Sequence, residues 1–215
     1  MQFGRKYCSM RPWFHQISTE FLLKEILLLI GAYLLGSVPT GLLLARGLGV
    51  NIRETGSGNI GATNVYRTMG RKVGILTLVG DCLKGLLPVL AAKWLGLPDL
   101  WIAGIGLAAL LGHVFTIFLG FKGGKGVATA LGVFLGTSPL SVLLALSVFA
   151  LVLYRWRFVS LASIAAAAII PVLVWLTAGG PEFILMSIAI AGVVIYKHRE
   201  NISRLRSGTE SRFKA

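Results

Sequence analysis

Charge is scarce in this chain, and acid is scarcer still. Only 13% of its 215 residues are charged, against roughly 25% in soluble domains, and 8 Asp and Glu stand beside 21 Lys and Arg. With 55% hydrophobic residues, this excludes an ordinary soluble globular domain and points to an integral membrane protein. Cysteine is limited to Cys8, in a polar head, and Cys82, in an apolar segment, so neither a disulfide framework nor a Cys-x-x-Cys metal site is indicated. Common catalytic signatures are missing as well. There is no Gly-x-Ser-x-Gly elbow and no His-Glu-x-x-His. A nucleotide-type phosphate loop ending at Lys125 would need glycine where Leu119 stands and Ser or Thr where Gly126 stands. No histidine precedes an aspartate by five residues, because His15, His113 and His198 are followed at that distance by Glu20, Phe118 and Ser203. The net charge of +13 would suggest nucleic acid in a soluble protein. Here the basic residues flank apolar spans, which assigns them to membrane orientation and to anionic lipid or substrate, and leaves no nucleic-acid partner.

What is present is an alternation of long apolar runs with short polar loops. Residues 1–20 read as a polar N-terminal extension without a signal peptide's apolar core and cleavage site, and 21–215 as a single membrane domain. The expected fold is all-α: a polytopic helical bundle of seven membrane segments over 21–48, 73–95, 100–119, 127–136, 140–154, 158–178 and 183–196, with glycine-rich loops on the cytoplasmic side. The fourth is too short to cross a bilayer untilted, since about 20 helical residues are needed. Within the first, the Gly36-Ser37-Val38-Pro39-Thr40-Gly41 cluster predicts a break or kink. Arg46, Arg53, Arg67, Arg71 and Lys72 follow the first segment, Lys122 and Lys125 the third, Arg155 and Arg157 the fifth, and a basic tail begins at Lys197. The alternate turns carry Asp99 and Glu182 and almost nothing basic. This sets the tail in the cytoplasm and the amino terminus outside, with Arg5, Lys6, Arg11 and Lys24 running against the pattern. Residues 51–67, 120–126 and 197–210 are thereby expected at one membrane face.

These three segments carry the chemistry. Asn51–Arg67 packs glycines, hydroxyls, amides and two arginines between apolar runs, and glycine lets backbone N–H groups turn toward an anion. Lys125, among Gly123, Gly124 and Gly126, presents an ammonium beside exposed N–H groups at the start of a helix, which suits phosphate. His198 and Asn201 are three apart and share a face on a helical continuation of the last segment. Asp81 and Lys84, also three apart, are expected to form an ion pair that positions the loop.

Three stretches are specific enough to carry a resemblance. They are Gly-Ser-Gly-Asn-Ile-Gly-Ala-Thr-Asn-Val over 56–65, Gly-Phe-Lys-Gly-Gly-Lys-Gly-Val-Ala-Thr over 120–129, and Lys-His-Arg-Glu-Asn-Ile-x-Arg-Leu over 197–205. In this order between apolar spans, they resemble the signature segments of the bacterial acyl-phosphate:glycerol-3-phosphate acyltransferase family, over about residues 24–212. The resemblance implies transfer of a fatty acyl group from a long-chain acyl phosphate to the 1-hydroxyl of glycerol 3-phosphate, giving 1-acylglycerol 3-phosphate and phosphate, the first committed step of phospholipid synthesis. It implies no metal, no cofactor and no acyl-CoA, and the His-x4-Asp base of the common glycerolipid acyltransferases is indeed missing.

By the same resemblance Ser57, Arg67, Lys125, Ser163, His198 and Asn201 occupy catalytic positions. Gly56, Gly58, Asn59, Asn64, Gly123, Gly124 and Gly126 are expected to bind substrate phosphate, supported by Arg53, Asp81, Lys84, His113, Thr129, Arg199 and Glu200. Implied partners are membrane lipids and the soluble enzyme that makes acyl phosphate from acyl carrier protein, with the protein in the bacterial cytoplasmic membrane and its site at the cytoplasmic face. An acyl phosphate is already activated, so positioning and charge stabilisation suffice, and the substrate's own phosphate can take the hydroxyl proton. A rival from another class is a small permease for a phosphorylated metabolite. It would need polar groups along a route through the bilayer, whereas here they crowd one face.

Overall fold

The computed structural model describes residues 19–177 and 179–213. The expected N-terminal extension over 1–20 lies outside them, except that Thr19 and Glu20 already belong to the first helix, and Cys8 lies outside as well. Among the described residues ten α-helices follow in order: α1 Thr19–Ser37, α2 Thr40–Gly47, α3 Ala62–Met69, α4 Arg71–Trp94, α5 Asp99–Val114, α6 Val127–Thr137, α7 Pro139–Trp156, α8 Val159–Thr177, α9 Pro181–Lys197 and α10 Arg199–Arg206. A 3-10 turn, Ile117–Leu119, follows α5.

Among the described residues, four helical stretches are long and apolar enough to cross a membrane: Arg71–Trp94, Asp99–Leu119, Pro139–Trp156 and Val159–Thr177. The number rises to 6 if two bent pairs each count as one span, α1 with α2 at 41° and α9 with α10 at 55°. The apolar run over 127–136 is the short helix α6, of 11 residues. The break expected within residues 21–48 falls at Val38–Pro39, where Pro39 has no N–H to donate, and the chain restarts at Thr40. The stretch 51–67 is not loop throughout, since α3 begins at Ala62 once Gly61 has turned to an extended backbone.

Helix α5 is the centre of the bundle. Its Ile105, Leu110 and Val114 are fully enclosed, together with Val89 of α4, Val133 of α6 and Val174 of α8. Close approach comes from reciprocal glycines. A Cβ on Gly85 of α4 would overlap the Thr129 carbonyl oxygen, and one on Gly132 of α6 would overlap that of Cys82. Gly36 of α1 and Gly112 of α5 bear the same relation, to the carbonyls of Ala109 and Tyr33. Small residues of this kind let helix backbones meet where no hydrophobic effect drives association. A second, smaller core of Leu42, Ala45, Ile52, Ile60 and Val65 lies beneath the 51–61 loop and anchors it to α2 and α3. Exposed leucines on the outer surface, such as Leu27, Leu143 and Leu151, suit a lipid boundary.

Candidate active site

The 51–61 loop is organised by one side chain. Asn64, in the first turn of α3, is buried, and its Oδ1 accepts from the Ser57 N–H at 2.8 Å. Its Nδ2 donates to the carbonyls of Asn59 at 2.9 Å and Thr55 at 3.0 Å. Gly56 has φ +61°, and a Cβ there would overlap Asn64 Oδ1, so only glycine fits beside this hub. Asn59 caps Gly61 N–H through its own Oδ1 at 2.8 Å. Asn64 is expected from the sequence to bind substrate phosphate, but both ends of its amide are engaged with loop backbone. Ser57, held by its N–H, presents an exposed side chain.

The Gly-Gly-Lys-Gly stretch is pinned to the end of α5. Gly123 N–H donates to Val114 O at 3.1 Å and Gly124 N–H to His113 O at 3.2 Å. Gly124 packs on the imidazole, where a Cβ would overlap His113 Nε2. Gly126 then turns at φ +82° into α6. Lys125 is therefore delivered at an 11-residue helix's N-terminus, where anions are favoured. Below the loop, buried His113 has its Nδ1 3.1 Å from the Thr129 hydroxyl and 3.8 Å from Asp81 Oδ1. Lys84 lies 2.9 Å from the same carboxylate oxygen and donates to Val38 O at 2.9 Å, tying α4 to the break between α1 and α2. The Lys84 approach to Oδ1 is a charge contact without hydrogen-bond alignment, so that oxygen has an ionic partner but no aligned donor.

The third segment bends at His198, between α9 and α10, rather than continuing straight. His198 Nδ1 lies 2.7 Å from Val194 O, which makes Nδ1 the donor and leaves Nε2 as the acceptor in the neutral ring. Burial pushes the imidazole down to about 4, despite the Val194 carbonyl, and nearby Lys125 adds to the effect. Lys125 Nζ donates to Asn201 Oδ1, and Asn201 Nδ2 donates to Glu210 Oε1 at 2.7 Å. Burial, then the Arg204 charge, pushes the Lys125 ammonium down to about 8.

Glu210 is the residue the sequence reading missed. After Gly208 turns the chain at φ +71°, residues 208–213 fold back over the site. Glu210 accepts from Ser160 and Asn201 through Oε1 and from Arg204 Nε through Oε2, each at 2.7 Å. Burial works to raise its carboxyl, but these donors outweigh it and hold the group below the usual carboxylate range. Arg67 Nη2 donates to Ser211 O at 3.1 Å, Phe213 N–H to Arg157 O at 2.6 Å, and Phe213 packs on Tyr66. The available signal is one of two acids in a basic tail, Glu200 being the other.

These elements enclose a cavity of about 630 Å³. Ser57, Arg67, Lys125, Ser163, His198 and Asn201 all line it, with Gly56, Asn59, Asn64, Gly126, Asp81 and His113. Ser160, Arg204 and Glu210 complete the polar wall. Gly58, Gly123, Arg53 and Glu200 line an adjoining polar cavity instead. Gly124, Lys84 and Thr129 stand behind the walls, and Arg199 is exposed with its guanidinium 4.9 Å from the Tyr196 ring. An apolar groove of about 230 Å³ leads off from Ser163, Phe149, Val127 and Leu78, between α6, α7, α8 and α9. Among the described residues no three His, Cys, Asp or Glu side chains gather as a metal site would require.

A family model described as glycerol-3-phosphate acyltransferase matches residues 26–208. A relative of that name from Geotalea daltonii is 70% identical over 190 residues, covering 88% of this chain and 98% of its own. Another from Aquifex aeolicus is 48% identical over 194 residues, covering 89% and 100%. The fold is similar to crystal structures of PlsY, an integral membrane glycerol 3-phosphate acyltransferase. Its glycerol 3-phosphate form gives a TM-score of 0.85 at 44% identity, and its lysophosphatidic acid form 0.83 at 45%, each covering 89% of this chain and 96% of the other.

Proposed function

The chain belongs to the glycerol-3-phosphate acyltransferase family, and we propose that it moves a long-chain acyl group from acyl phosphate to the 1-hydroxyl of glycerol 3-phosphate. The observation that carries this reading is the junction of two unlike spaces. A cavity bearing the cations Arg67, Lys125 and Arg204 continues into an apolar groove whose rim includes the exposed Leu78 and Leu146. Phosphates suit the first and an acyl chain reaching in from the bilayer suits the second.

In this reaction the hydroxyl oxygen attacks the acyl carbonyl carbon, a new C–O bond forms, and the acyl carbon's bond to the phosphate oxygen breaks. The departing phosphate keeps that electron pair and takes the hydroxyl proton. Two phosphates must be held together, and the basic side chains and the N-terminus of α6 offset their repulsion. His198, neutral with Nε2 free to accept, orients the attacking hydroxyl. An imidazole pushed down to about 4 is a weak base at neutral pH, which favours the phosphate as proton acceptor. Ser57 and Ser163 supply hydroxyls to the bound substrates, and Asn201 aligns Lys125. Asn64, Asp81, Lys84, His113 and Thr129 act as positioning residues.

The basic loops support a topology of seven segments, α6 being the short one, with the cavity and the tail on the cytoplasmic side of the bacterial inner membrane. There the enzyme would draw acyl phosphate made by a soluble partner. The test is phosphate release from acyl phosphate by purified protein. Release that requires glycerol 3-phosphate and yields the 1-acyl product in equal amount is expected, and release indifferent to glycerol 3-phosphate would overturn the assignment.

A further inference from the structure

A second polar cavity, about 340 Å³, lies beside the first and shares Ser57, Asn59, Lys125 and Arg204 with it. Its remaining wall brings Arg53, Lys122 and Glu200. Arg53 Nη2 donates to the Lys122 carbonyl at 2.9 Å, joining the 51–61 loop to the Gly-Gly-Lys-Gly loop and fixing a guanidinium at the entrance. Four basic side chains thus face a single carboxylate, although Arg204 is also held by Glu210. Arg53, Lys122 and Glu200 are exposed, whereas Lys125 is partly enclosed. The shared residues form the partition between this more open space and the first one.

We propose that this outer cavity is an antechamber for small soluble phosphates, which Arg53 and Lys122 capture before they pass Lys125 into the reaction cavity or after they leave it. The inference rests on the proposed reaction, which has two kinds of traffic. Glycerol 3-phosphate and released phosphate are water-soluble anions, while the acyl donor and the acylated product are lipids. A charged antechamber raises the local concentration of the first kind and does nothing for the second. Lys122 and Arg53 then act on entry and leave the chemical step to other residues.

The test measures KM for glycerol 3-phosphate, inhibition by inorganic phosphate, KM for acyl phosphate and kcat in the intact protein and in Lys122→Gln, Lys122→Glu and Arg53→Gln. Lys122 is the cleaner site, because its backbone carbonyl, not its side chain, meets Arg53. Removing one charge should raise KM for glycerol 3-phosphate roughly 3- to 10-fold at low salt, with Lys122→Glu above Lys122→Gln and kcat unchanged for the Lys122 variants. Inhibition by inorganic phosphate should weaken by a similar factor, and KM for acyl phosphate should stay fixed. A shift in only one of the two soluble ligands supports the antechamber and assigns it to that ligand. No shift in either with Lys122→Glu, or an equal shift for acyl phosphate, overturns it. Calorimetric titration with glycerol 3-phosphate and with inorganic phosphate needs no turnover and separates this inference from the reaction itself. Weaker binding of either in Lys122→Glu supports the antechamber even in a protein that does not transfer acyl groups, and identical binding of both overturns it.

Discussion

Two surface segments cover the reaction cavity, and each is organised by one polar side chain of opposite kind. In the 51–61 loop the hub is Asn64, neutral and bonded to the backbone of the loop it organises. In the 208–213 tail the hub is Glu210, charged and bonded to side chains of α8 and α10. The loop thus carries its own scaffold beneath it, with Ile52 and Val65 fully buried. The tail is held by the same cations and amides that face the substrate. A change in the charge of the site should therefore reach the tail and leave the loop alone.

The comparison breaks most sharply at Asn64. Asn64→Ala leaves buried carbonyls without donors and should lower kcat/KM by about 10²-fold or more, since misplacing reacting groups by about 1 Å costs that much. Helical content by circular dichroism should be retained, and near-normal activity would remove Asn64 as the hub. Glu210→Ala should cost on the order of 10- to 30-fold, the worth of one or two charge-assisted bonds, with faster proteolysis after Arg206. Glu210→Gln, which keeps an acceptor, should lie between this variant and the parent. Because the Glu210 carboxyl is held low in the folded protein, its contribution is present above the unfolded value and lost as pH falls through the folded one. Tail protection in hydrogen exchange, corrected for intrinsic rates, should hold down to about pH 5 and decline only below about 4.3.

At alkaline pH the sign reverses through Lys125. With its ammonium pushed down to about 8, charge is lost as pH rises through that value. The free enzyme's kcat/KM should fall about tenfold from pH 7 to pH 9, a fall that Lys125→Arg should flatten even at reduced activity. The smallest effect belongs to Ser160→Ala. It removes one of three donors from Glu210 and should cost roughly 2- to 3-fold, with measurably faster exchange in the tail and none in the 51–61 loop.

Local sequence carried the helices and the three polar segments well. Apolar runs marked every long helix, Pro39 marked the first break, and the Gly-Gly-Lys-Gly stretch stood out against its surroundings. All six residues expected to be catalytic line one cavity. Illegible were features that depend on partners far along the chain. Ser160 meets Glu210 across 50 residues and Arg67 meets Ser211 across 144, and no periodicity encodes such pairs. The role of Asn64 was hidden for a different reason. An amide in a glycine-rich loop has the same composition whether it faces an anion or its own backbone, and only the hydrogen-bond geometry separates the two.

The apolar groove has a kinetic consequence for an enzyme of the proposed kind. A ligand that enters sideways from hydrocarbon is sampled at its surface density in the bilayer, not at its amount per litre of suspension. Diluting the acyl donor with inert lipid at fixed bulk concentration would therefore slow the reaction, while diluting glycerol 3-phosphate would act through the aqueous volume alone. One active site would in this way obey two concentration scales, one of two dimensions and one of three.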